Sequence, residues 1–170
     1  MTPDSTESVS ALRPRLAAEP LWDFALALYA RPGVEAACLH LQDDAGLEVI
    51  ELLWRCWLFR HGLAAGPLPE EVRRWQAEVT APLRRLRRDL KAEAVERASV
   101  AALRERIKAA ELAAEREALA RLERWSLDGP PLRSLPPSTR FPSVLSCCAQ
   151  LRKKSHFLAL ETLADRLDPL

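Results

Sequence analysis

Apolar residues recur at helical spacing along most of the chain, and the densest run of them spans residues 21–61. Leu21, Ala25 and Leu28 share a face there, with Trp22 and Tyr29 beside them and Phe24 and Leu26 widening it. The pattern predicts a largely buried helix, opened by Glu19-Pro20 and running to about Arg31. Pro32-Gly33 then punctuates the chain. A second helix is expected over 34–43, with Val34, Ala37, Cys38 and Leu41 on one side. After the turn Asp43-Asp44-Ala45-Gly46, a third helix over 47–60 carries Leu53, Trp54, Trp57 and Leu58, and stops at Gly62.

Residues 1–19 are polar and read as a flexible tail, with Pro14 interrupting a helical turn begun near Ser10. Downstream, Gly66-Pro67-Leu68-Pro69 is a loop, and Glu70-Glu71 opens a helix bearing Val72, Trp75 and Val79. Pro82 is expected to bend or restart that helix, with Thr80 as its cap. Beyond it, Leu83, Leu86, Leu90 and Ala94 form the expected apolar face, opposite Arg84, Arg88 and Lys91. Val100, Leu103, Ile107, Ala110 and Ala114 make a second stripe in a stretch free of Gly and Pro, supported by the Glu117–Arg121 spacing. Residues 127–142 hold five of the thirteen prolines and read as a stiff linker or surface arm. Residues 143–170 read as a short helical tail with Leu158, Leu160, Leu163 and Leu167 as its apolar contacts.

The expected fold is therefore all-α: a compact helical bundle over 20–126 that includes a long charged helical hairpin (70–96 and 99–125), followed by a proline-rich C-terminal arm. A chain of 170 residues has room for one such domain. Its net charge of +1 hides a local bias, because residues 70–91 hold seven Arg or Lys against four acidic residues. Cys38 and Cys56 sit in apolar surroundings, no C-x-x-C pair occurs, no basic-then-apolar leader opens the chain, and no segment is long and apolar enough for a membrane span. These features predict a protein of the reducing cytoplasm, away from membranes.

The runs LWDFALALYARPGVEAACLHLQDDAGLEVIELLWRCWL, APLRRLRRDLK and IKAAELAAEREAL resemble an uncharacterised proteobacterial family of small proteins of unknown function, over about residues 21–122. The most specific part is Cys38-Leu39-x-Leu41-Gln42-Asp43 with Gly46 downstream. In that family a D-V-N element follows the glycine; here Glu48-Val49-Ile50 stands in its place, so the polar role of the Asn is missing. The resemblance implies a helical cytoplasmic protein. It supplies no activity, cofactor or catalytic residue, and the C-terminal tail lies outside it.

Cys38 and His40 point about 200° apart on a helix, and Cys56 and His61 only roughly share a side, so no metal set and no cofactor are expected. Gln42, Asp43, Asp44 and Glu48, with Glu51, form an acidic patch at a turn, the candidate polar site. A Mg²⁺-diphosphate enzyme would need a second acidic motif, which is absent, so the patch reads first as a solvated turn. Cys147-Cys148 with His156 suggests a thiol nucleophile only in a short peripheral segment. No catalytic residue is assigned, since no Ser-His-Asp order, phosphate-binding glycine loop or H-E-x-x-H occurs.

The function expected from these features is a non-enzymatic cytoplasmic adaptor or regulatory protein. It would bind a protein partner through Arg84, Arg85, Arg87, Arg88 and Lys91 and the long helices, which also offer a route to homo-oligomers. The alternative is an RNA- or ribosome-associated protein that sets the same arginines, with Arg73 and Arg74, against phosphate. An enzyme or ligand-binding protein acting at the acidic turn comes third.

Overall fold

The computed structural model describes residues 8–129, 131–145 and 151–167. Two compact units divide them: residues up to Pro67 together with those from Glu123 onward, and Leu68–Leu122.

The first unit begins with α1, Val9–Ala18, where a flexible tail was expected. Ser8 caps it, its hydroxyl accepting the Ala11 N–H at 3.3 Å. Pro14 lies inside the helix and does not end it. An interior proline costs about 3 kcal/mol, but Leu12 and Leu16 are both buried from this helix, roughly 1.5–3 kcal/mol each. Helices α2 (Leu21–Tyr29), α3 (Val34–Ala45) and α4 (Val49–Arg60) follow, close to their expected places. The positive end of α2 meets a carboxylate, since the Leu21 N–H donates to Glu123 Oε2 at 2.6 Å.

Two glycines shape α3. Gly33 before it has φ +83°, and Gly46 after it has φ +69°, both in the left-handed region that other residues rarely adopt. A Cβ on Gly33 would also lie 3.2 Å from Thr162 Cγ2.

Helix α4 is the centre of this unit. Every residue from Leu52 to Leu58 is buried, including Trp54, Arg55 and Trp57. Such a helix must satisfy its polar side chains internally. Trp54 donates Nε1–H to Ser126 Oγ at 2.9 Å, and Trp57 donates to the Glu19 carbonyl at 2.8 Å. The Arg55 guanidinium binds Glu51 Oε1 from Nη2 at 2.7 Å and the carbonyls of Ala65 and Gly66 at 3.2 and 3.0 Å. Trp125 meets Trp54 edge-to-face, with ring centroids 5.8 Å apart.

The proline-rich segment is held against this unit by a short antiparallel pairing of β1 (Leu63–Ala64) with β2 (Arg133–Ser134). The Leu135 N–H extends that pairing to the Gly62 carbonyl at 2.8 Å, and Leu132 and Leu135 are buried. Residues 132–135 are thus anchored to this unit. The turn of helix α9 (Phe141–Val144) sets Phe141 edge-to-face with Phe59, and α10 (Lys154–Leu167) packs along α3 through Ala159, Leu160 and Leu163. The Cys147-Cys148 pair lies outside the described residues.

The second unit contains α5 (Glu70–Trp75), a π-helical turn (Gln76–Thr80), α6 (Ala81–Asp89), α7 (Lys91–Glu96) and α8 (Ala98–Leu127) as far as Leu122. Pro82 neither ends nor restarts the helix. The missing N–H and the bulk of its ring are absorbed by the π turn just before it. Among the described residues no helix is long and apolar enough to cross a membrane.

Candidate functional site

The π turn has a consequence for every residue after it. It adds one residue to a helical turn, which rotates the downstream faces by about 100°. The inward row runs Val72, Gln76, Thr80, Arg84, all buried, where an uninterrupted α-helix from Val72 would turn Val79, Leu83 and Leu86 inward. Arg84 is therefore 9% exposed and Leu86 is 47% exposed, each on the side opposite to that expected, whereas Leu83, Leu90 and Ala94 are half-buried and Arg88 and Lys91 exposed, in line with the expected faces. Thr80 donates Oγ1–H to Gln76 Oε1 at 2.7 Å, so the two buried polar side chains pair with each other.

The buried arginine requires a partner, and α8 supplies it. Arg84 Nε donates to Glu111 Oε1 and its Nη2 to Glu115 Oε1, each at 3.2 Å; Arg87 Nε donates to Glu111 Oε2 at 2.5 Å. Burial pushes the Glu111 carboxyl up, but the Arg87 and Arg84 guanidiniums outweigh this and hold it below its ordinary value of 4.5. The Glu111 carboxylate in turn raises Arg87. Arg104 donates Nε–H to the Arg87 carbonyl at 3.1 Å. Of the five basic residues expected to meet a partner, Arg84 and Arg87 are thus engaged by α8, while Arg85, Arg88 and Lys91 are exposed. Trp75 is held within the unit, donating to the Ala114 carbonyl at 2.9 Å beneath the Arg121 guanidinium.

Between Arg84 and Ile107 no residue is buried. This is the tip of the α6–α7/α8 hairpin. It leaves Leu86, Val95 (86% exposed) and Leu103 (49%) to solvent, beside Arg85, Arg88 and Lys91.

The acidic turn in the first unit is organised differently. Asp43 and Asp44 are exposed, and Gln42 and Glu48 are half-buried. The carboxylates serve separate partners: Glu51 turns to Arg55, whereas Asp44 accepts from Lys153 Nζ at 2.9 Å and from His156 Nε2 at 2.5 Å. Those two donors, Lys153 first, bring the Asp44 carboxyl from 3.8 down to about 2. The backbone N–H groups of Arg152 and Lys153 point at His156 Nδ1 from 3.3 and 3.4 Å, which places the ring proton on Nε2. His40, one helical turn before Asp44 on α3, meets Ser155 Oγ through Nε2 at 3.1 Å, and its ring centroid is 5.6 Å from that of His156. One ligand atom each of His40, Asp44 and His156 lie within 4.8 Å of one another.

The sequence reading misses this cluster, because it sets His40 against Cys38, two residues away. The i,i+4 spacing of His40 and Asp44 was legible as a shared face. His156, distant in sequence, gave no signal. Cys38 and Cys56 are buried, and burial pushes the Cys38 thiol up to about 12 and raises that of Cys56 too, so both are packing groups and not nucleophiles.

The fold and these contacts define an all-helical protein carrying a solvent-exposed helical hairpin. The chain belongs to a family described as protein of unknown function (DUF2390), which matches residues 20–122. No curated protein and no solved structure matches it.

Proposed function

We propose that this is a non-enzymatic adaptor or regulatory protein of the cytoplasm, which binds a protein partner at the tip of the α6–α7/α8 hairpin. The observation that supports this reading is the unburied stretch between Arg84 and Ile107, with Leu86, Val95 and Leu103 held out to solvent. Helices draw most of their stability from packing an apolar face, and isolated ones shorter than about 12–15 residues are marginal in water. Helix α7 has six residues and buries none of them. A partner that covers Leu86, Val95 and Leu103 supplies the missing burial. The exposed Arg85, Arg88 and Lys91 beside them select a partner helix that carries carboxylates around its apolar face.

The test is capture of the tagged full chain from its native cytoplasm, with and without ribonuclease, beside two variants. Leu86→Glu/Val95→Glu/Leu103→Glu should lose the partner, and Arg85→Glu/Arg88→Glu/Lys91→Glu should weaken it, while circular dichroism of both matches the wild type. Equal capture by all three proteins, or no partner at all, overturns the reading. Loss of every partner on ribonuclease treatment overturns it in favour of RNA contact through the same basic residues, a contact that would also weaken steeply as salt is raised.

A further inference from the structure

Three groups converge in the first unit without a role in the reading above. His40 and Asp44 project from one face of α3, and His156 comes in from the start of α10. Two imidazoles and a carboxylate are a donor set suited to Zn²⁺ and related divalent transition metals, and three protein ligands leave a position open. We propose that His40, Asp44 and His156 form a three-ligand site for a divalent transition-metal ion, with the Lys153 ammonium taking the place of the cation's charge when no metal is bound.

The geometry sets the adjustments this requires. Tetrahedral bonds of about 2.1 Å put ligand atoms about 3.4 Å apart. The donors here lie within 4.8 Å of one another, and Asp44 Oδ2 and His156 Nε2 are 2.5 Å apart. The aspartate must back away slightly and His40 must swing from Ser155 Oγ toward the pair. Both are motions of side chains that reach solvent. His156 is 2% exposed, so one ligand is already ordered. Two competitors must yield. Lys153 is 62% exposed, and an ion pair so open to water is weak. Coordination through Nε2 also shifts the His156 ring proton to Nδ1, which displaces the backbone N–H groups of Arg152 and Lys153. Those hydrogen bonds are long, at 3.3 and 3.4 Å.

His40 and Asp44 lie within the family match at residues 20–122, and His156 lies beyond it.

The test uses the chelator-treated full chain, titrated with Co²⁺ by visible absorption and with Zn²⁺ by calorimetry. One equivalent should bind, with Co²⁺ d–d bands of low coordination number. His40→Ala and Asp44→Asn, both at solvent-reaching positions, should lower affinity at least tenfold with helical content unchanged. Lys153→Met should raise it by up to about fivefold, since the competing ion pair is worth that much at most. Because Cys147-Cys148 is a second place for a soft metal, Cys147→Ser/Cys148→Ser is run beside them and should bind as the wild type does. Failure of both the wild type and Lys153→Met to bind saturably overturns the proposal. So does binding that survives in the His40 and Asp44 variants, or that disappears with the two cysteines.

Discussion

Trp54 shows how one side chain ties distant parts of the sequence together. Its ring is buried in α4, meets Trp125 edge-to-face, and donates its only N–H to Ser126. Trp54→Ala removes the ring with its hydrogen bond to Ser126 and leaves a cavity, so it should cost about 3–5 kcal/mol in urea denaturation. A midpoint within a few tenths of the wild type would refute the central place of α4. Cys38 and Cys56 make the opposite case: residues whose chemistry is switched off by where they sit. With both thiols buried and raised, a thiol reagent should modify no more than two of the four cysteines in the native protein and all four in denaturant. Rapid native reaction of three or more would contradict their burial.

At the scale of the element, the π turn at Gln76–Thr80 decides more than any single residue. It moves Arg84 to the inside of the hairpin and Leu86 to the outside. Glu111 then becomes the residue on which the inner face depends, because it answers both Arg84 and Arg87. Glu111→Ala leaves a buried guanidinium short of its partner and should destabilise the second unit by about 3 kcal/mol. Glu111→Ala/Arg84→Met removes both members, and should recover much of that loss. If the double variant is no better than the single, the cost lies in lost packing and not in the orphaned charge. The sequence did show helices here, and their extents. It did not show the rotation, because an extra residue in one turn leaves no mark on composition or on the spacing of leucines.

For the whole molecule, the same carboxylates set the response to acid. Glu111 and Asp44 have folded values below their ordinary ones, 4.5 and 3.8. Their contributions are complete above those ordinary values and are lost as pH falls through the folded ones, about 2 for Asp44. His61 acts in the same sense at higher pH, because burial lowers its pKa from 6.5, so the urea midpoint should hold only down to about pH 6.5, decline gently below that, and fall further below about pH 5 as the two carboxylates are neutralised. Glu111→Gln should flatten the fall, whereas an unchanged slope in that variant would remove Glu111 from the account. Chain organisation was the less legible feature at this scale. The hydrophobic pattern suggested one bundle over 20–126 with appendages, whereas residues up to Pro67 and those from Glu123 onward form one unit, with Leu68–Leu122 as the other.

The sequence by itself determined the helical class, the places of α2, α3 and α4, the Gly33, Gly46 and Gly62 breaks, and the family to which the chain belongs. Those are local matters: period, capping and backbone freedom act within a few residues, and the chain spells them out. Tertiary structure decided which arginines turn inward, that the proline-rich segment pairs with β1, that Pro14 is tolerated within α1, and that His156 meets Asp44 and His40. Each of these depends on a partner far away in sequence or on a rotation summed over several turns. Long-range pairing of this kind is settled by the free energy of burial, not by local spacing.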